Sequence, residues 1–148
     1  MSEVTLLRLY VLRATYLLIA VGLGVMIWPS LIDPVSVPEH MRGVVRALLG
    51  AMGLLALLGI RYPLQMLPLL LFELVWKLIW IVAIGVPLRS AGALDVATRS
   101  TWFDCLFGIL VCLVAIPWGY VIRSYVRRPA DPWTRRDLPP PVAAPIGR

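Results

Sequence analysis

Four apolar runs decide what this chain can become: residues 10–28 (YVLRATYLLIAVGLGVMIW), 43–60 (GVVRALLGAMGLLALLGI), 64–86 and 101–122. Each is about 18 to 23 residues long, the length a helix needs to cross a ~30 Å hydrocarbon core at about 1.5 Å per residue. In lipid the backbone must satisfy its own hydrogen bonds, and a helix does so within one segment. The fold expected is all-α: a membrane bundle of four transmembrane helices over residues 1–126, followed by a basic, proline-rich tail, 127–148. The first run is too long for a signal-peptide core, and no small-residue cleavage motif follows it.

Composition excludes a soluble alternative. Sixty per cent of the 148 residues are hydrophobic and only 15% are charged, against roughly 25% in soluble domains. The mean hydropathy is +0.86. A soluble domain of this size cannot hide so much apolar surface.

Basic residues outnumber acidic ones 14 to 8, yet they sit at helix ends and in the tail. That distribution marks topology and excludes a nucleic-acid partner. Four spans put both termini on one side. That side carries Arg8, Arg13, Arg61, Arg123, Arg127, Arg128, Arg135, Arg136 and Arg148; the other carries Arg42, Arg46, Arg89 and Arg99. The positive-inside rule places both termini in the cytoplasm. Trp28 and Trp102 are expected at the outer membrane level, and Tyr10, Tyr62, Trp118, Tyr120 and Tyr125 at the inner one. All basic residues but Lys77 are arginine, and Ala, Gly and Pro are plentiful. This points to a GC-rich bacterial genome and to the bacterial cytoplasmic membrane.

Helix two carries Gly43, Ala47, Gly50, Ala51, Gly53, Ala56 and Gly59, with Ala47 and Ala51 as a small-xxx-small pair. Such residues let helix backbones approach closely, so helix two is expected to pack centrally. Pro29 is expected to end helix one, and Pro68 and Pro117 to bend helices three and four. In the tail, Arg127, Arg128, Arg135 and Arg136 around Trp133 suit an anionic lipid surface, or form a solvated tail with ordinary topology signals.

The segment LLLFELVWKLIW, residues 69–80, holds Glu73 and Lys77 inside an apolar run. A charge at the bilayer centre costs several kcal/mol. At i and i+4 the two share a helix face and can pair, with Trp76 and Trp80 flanking that face. From the span limits, Lys77 lies about 13 Å below the outer end. Asp104 and Arg46 lie about one turn below it. The four ionisable groups are expected to converge, with Glu39 and His40 above them, as structural glue between helices or as the lining of a ligand or ion pocket.

Cys105 and Cys112 are about 10 Å apart along one helix and cannot bridge each other; both are expected as small core residues. The single His40 excludes a bis-histidine haem within one chain. No nucleotide, zinc or nucleophile motif is present, so neither a catalytic residue, a cofactor nor a metal is expected.

RYPLQMLPLLLFELVWKLIW and PWGYVIRSYVRRPADPW resemble a group of small bacterial four-helix integral membrane proteins with no assigned function. The resemblance covers residues 42–137 and implies the four-helix fold but no site residue. In hydropathy the chain is also loosely similar to DoxX-like four-helix proteins.

The sequence is thus expected to encode a non-enzymatic accessory or structural subunit of a membrane complex, with a membrane-protein partner or copies of itself. One alternative is a binder or carrier of a small hydrophobic or protonatable ligand, such as a lipid or quinone, in a pocket of Glu73, Lys77, Asp104, Arg46, Trp76 and Trp80. A second is an isomerase in which Glu73, beside Trp76, moves a proton.

Overall fold

Apolar runs without internal breakers fold as continuous helices, and breakers set where they stop. The computed structural model describes residues 4–32 and 40–128. Four long helices form: α1 (Leu6–Ile32), α2 (His40–Arg61), α3 (Leu67–Ser90) and α4 (Val96–Ala115). A short α5 (Trp118–Val121) follows and widens into a π-type turn over Ile122–Arg127. Among the described residues there is no strand. All four long helices are long and apolar enough to cross a membrane.

The ends differ from the apolar-run limits, and the differences have local causes. Helix α1 continues through Pro29 to Ile32, where the Ser30 hydroxyl donates to the Ile27 carbonyl at 2.7 Å. Pro68 does not bend α3. It lies in the first turn, where a backbone N–H has no helical partner to lose. Pro117 breaks α4 instead of bending it. Ile116 is extended, as the residue before a proline is biased to be, and the helix ends at Ala115. Pro117 cannot donate to the Leu113 carbonyl four residues back; the Trp118 indole N–H donates to it instead, at 2.9 Å.

At the far end of α3, Pro87 likewise cannot serve the carbonyl of Ala83. The helix widens to a π-type turn over Ile81–Gly85, closed by the Val86 N–H donating to Ile81. It then continues to Ser90. Gly92 takes φ +65°, and the N–H groups of Gly92 and Ala93 return to the Arg89 and Leu88 carbonyls, a Schellman stop that only glycine enters without strain. Helix α4 starts at Asp95, whose carboxylate accepts from the Thr98 amide at 2.9 Å.

Helix α1 packs chiefly on α2, and α3 on α4; lighter contacts join α1 to α4 and α2 to α3. Helix α2 is therefore paired with α1, not central. The small residues that achieve this repeat every third position. Gly50 faces Leu31, Gly53 faces Leu23 and Gly59 lies against the Tyr16 ring, with Ala56 buried between them. Ala47 and Ala51 point outward and are exposed.

All four helices meet at the end where α1 begins, called basal here. Leu12, Tyr16, Ala56, Leu67, Leu70, Cys112 and Ile116 form the core there. Tyr16 is fully buried, and its hydroxyl donates to the Pro63 carbonyl at 3.0 Å. Elsewhere the bundle is thin. At most 28% of the most apolar stretch of any long helix is buried within the protein, so most of that surface needs an apolar surrounding.

Candidate functional site: a groove between α1 and α4

Above the basal core, α1 and α4 separate. The space between them is a cavity of about 360 Å³. Thr15, Leu18, Gly22 and Met26 of α1 form one wall, and Thr101, Asp104, Phe107 and Val111 of α4 the other. Helix α3 closes the back with Glu73, Trp76 and Lys77; α2 contributes only Leu49. Leu18, Met26 and Phe107 are 49%, 70% and 60% exposed, so the groove opens sideways, on the lateral face of the bundle. Its volume falls in the lower part of the ~300–1,000 Å³ range of small-molecule sites.

The back wall is built by one carboxylate. Glu73 is buried at 4% exposure. Its Oε2 accepts from the Trp76 indole N–H at 2.6 Å and from the Lys77 ammonium. Helical spacing dictates this: i+3 and i+4 lie on the face of i. The ammonium also sits 4.1 Å from the centre of the Trp76 ring, a cation–π arrangement. Both donors use the same oxygen, so Oε1 has no hydrogen-bond partner among the described residues.

Lys77 reaches this position because Gly108 of α4 lies opposite it. A Cβ there would stand 2.9 Å from Lys77 Cδ and closer still to Cε. The sequence reading missed Gly108, although a signal was present: it is the single glycine in α4, and a glycine isolated in a helix costs about 1 kcal/mol against alanine.

Of the residues expected at the site, the structure brings together Glu73, Trp76, Lys77 and Asp104. Asp104 lines the same groove, exposed on its α4 wall. It has no hydrogen bond or ion pair among the described residues. Because α3 runs to Ser90, Lys77 lies thirteen residues, about 20 Å, from that helix end.

Two expected members lie elsewhere. Arg46 lines a separate hollow with Met41, Arg42 and Val45. Trp80 turns toward the far end, where its ring and that of Trp102 close on Gly85. Trp102 is consequently buried, and the Arg89 guanidinium stacks 5.5 Å from its centre. Cys105 and Cys112 are buried on the α4 wall. Arg127 and Arg128 are exposed after α5. Arg135, Arg136, Trp133 and Glu39 lie outside the described residues, as does the His40 side chain.

The groove offers an apolar bed with a few polar atoms at its back and on one wall. Among the described residues no group of His, Cys, Asp and Glu side chains is arranged to hold a metal ion. No protein-family model, curated protein or solved structure matches the chain.

Proposed function

We propose that this protein is a multi-pass protein of a bacterial cytoplasmic membrane that holds a small amphiphile in the groove between α1 and α4, with both termini in the cytoplasm. The observation that carries the binding reading is the back wall: a buried Glu73–Lys77 pair faces a lipid-accessible groove, not a sealed core. An ion pair used only to lock helices gains nothing from such a groove beside it, whereas a ligand site needs both an apolar bed and a few convergent polar atoms. The orientation rests on the arginines, nine on the terminal side against four opposite. A membrane-impermeant thiol reagent applied to single-cysteine variants at each terminus tests it: protection in intact cells is expected, and labelling contradicts it.

The groove is tested by filling it. Gly22 lines the groove and a Cβ there meets nothing within 4 Å, so Gly22→Phe has room to start a side chain that takes up groove space. Protein extracted gently from its own membrane should carry a small amphiphile, and the Gly22→Phe protein should not.

A second reading, an accessory subunit of a membrane complex, is favoured by Ala47 and Ala51. This small-xxx-small pair lies exposed on α2 and leaves room for the close approach of another helix. Co-purification of a partner chain, lost in Ala47→Leu, would support it.

A further inference from the structure

We infer that the groove selects an amphiphile with a cationic, hydrogen-bond-donating head, an alkylammonium, and that Asp104 is the residue that sets this preference. The inference rests on the groove being a ligand site at all.

The hydrogen-bonding groups of the lining are unequally committed. The Trp76 N–H is spent on Glu73. The Thr15 hydroxyl donates to the Val11 carbonyl at 2.9 Å, and the Thr101 hydroxyl to the Ala97 carbonyl at 3.2 Å. Each hydroxyl proton is thus used within its own helix, which leaves oxygen lone pairs behind. Lys77 alone keeps strong N–H donors, and its ammonium is already held between Glu73 and the Trp76 ring. Apart from the weak thiol donors of Cys105 and Cys112, what remains free is acceptor: Glu73 Oε1, the whole Asp104 carboxylate, and the two threonine oxygens.

Charge points the same way. Two carboxylates, Glu73 and Asp104, face the groove against one ammonium, Lys77, a formal sum of −1. The Glu73–Lys77 pair is internally balanced, so the uncompensated charge is that of Asp104. An unpaired carboxylate beside apolar walls in a bilayer is costly, and a ligand cation within hydrogen-bond reach offsets that cost. An anionic head meets repulsion from the same group. An oxidised quinone, whose carbonyls only accept, finds no free donor but Lys77.

Size restricts the tail. A space of about 360 Å³ suits a small one-chain amphiphile, not a whole two-chain phospholipid. The chain lies along Leu18, Gly22 and Phe107, and the ammonium reaches Asp104. A backbone rise of about 6 Å separates Asp104 from the level of Gly108 and Lys77, so the two cations need not meet.

The test is photolabelling of the full-length protein in neutral-detergent micelles with three diazirine-bearing probes of one chain length: an alkylammonium, an alkyl alcohol and an alkyl sulfate. Labelled residues are read by mass spectrometry. The alkylammonium is expected to label the α1 and α4 walls with about tenfold higher apparent affinity than the alcohol, as one charge-assisted hydrogen bond supplies. Asp104→Asn should abolish that preference while the alcohol still labels the groove. Asp104 is exposed and unpaired, so this variant leaves the packing intact. If all three probes label the groove alike, or Asp104→Asn leaves the preference unchanged, the charge selection is wrong and the groove reading stands. If no probe labels either wall, both are wrong.

Discussion

The methylene stem of Lys77 crosses α4 at Gly108, where any side chain would occupy the space of Lys77 Cδ and Cε. The ion pair on α3 is therefore positioned by a residue of α4 that carries no functional group. Lys77 is a flexible chain, so the clash created by Gly108→Ala is relieved by swinging the ammonium away from Glu73. The alanine also adds about 1 kcal/mol of helix propensity. That gain is smaller than the cost of leaving the buried Glu73 charge without its ammonium, so Gly108→Ala should destabilise the bundle, by less than Lys77→Met because the displaced ammonium stays nearby. The Trp76 indole N–H resonance should shift as its carboxylate acceptor loses the ammonium. An unshifted indole resonance would show that Lys77 does not depend on Gly108.

The basal contact between Gly59 and Tyr16 is expected to respond differently. The Tyr16 ring is rigid, fully buried and tied by its hydroxyl to Pro63. A Cβ at residue 59 would lie 2.5 Å from Tyr16 Cγ. Gly59→Ala should therefore destabilise the bundle by about 1–3 kcal/mol, the usual cost of overpacking. Tyr16→Phe should cost about 0.5–1.5 kcal/mol through the lost hydrogen bond. Unfolding titrations in mixed micelles measure both.

The Glu73–Lys77 pair should behave as a unit. Removing one partner leaves a buried charge uncompensated, and Glu73→Gln or Lys77→Met alone should each cost about 3–5 kcal/mol. The double variant, in which neither charge remains, should lie closer to the parent than either single one. A double-mutant cycle on unfolding free energies reads the difference; additive costs would mean that the two side chains are not coupled.

Acid should loosen the start of α4. Hydrogen bonding from Thr98, its side chain foremost and its amide next, holds the Asp95 carboxyl below its ordinary value of 3.8. A carboxyl with a depressed folded-state value stabilises fully above the unfolded value, and the contribution is lost as pH falls through the folded one. Amide exchange at Thr98 and Arg99, corrected for intrinsic rates, should accelerate only below about pH 3.8. In Asp95→Asn, which keeps a capping oxygen without a titrating proton, that acid step should vanish.

The sequence foretold what bilayer length and helical spacing dictate, and little that depends on how helices are turned against one another. Four helices follow from four apolar runs, and the Glu73, Trp76 and Lys77 cluster follows from i+3 and i+4. Trp80 shares that spacing with Lys77, yet its ring goes to Gly85. The π-type turn before Pro87 brings that glycine under Trp102, a contact no single-helix pattern contains. Asp104 joins the groove and Arg46 does not, because α2 leans on α1. That pairing is set by the three-residue repeat of Gly50, Gly53, Ala56 and Gly59, not by the spacing of four at Ala47 and Ala51, which lie exposed. Proline positions were visible, but their effects depended on place in the helix: harmless in the first turn at Pro68, breaking at Pro117, widening at Pro87.

Native mass spectrometry of the protein released from its own membrane, beside the Gly22→Phe variant, tests the groove most directly. The expected result is a chain carrying a small bound molecule, with that added mass absent from Gly22→Phe. A chain carrying only a defined partner-protein mass, identical in both proteins, would contradict a ligand groove and leave the subunit reading in its place.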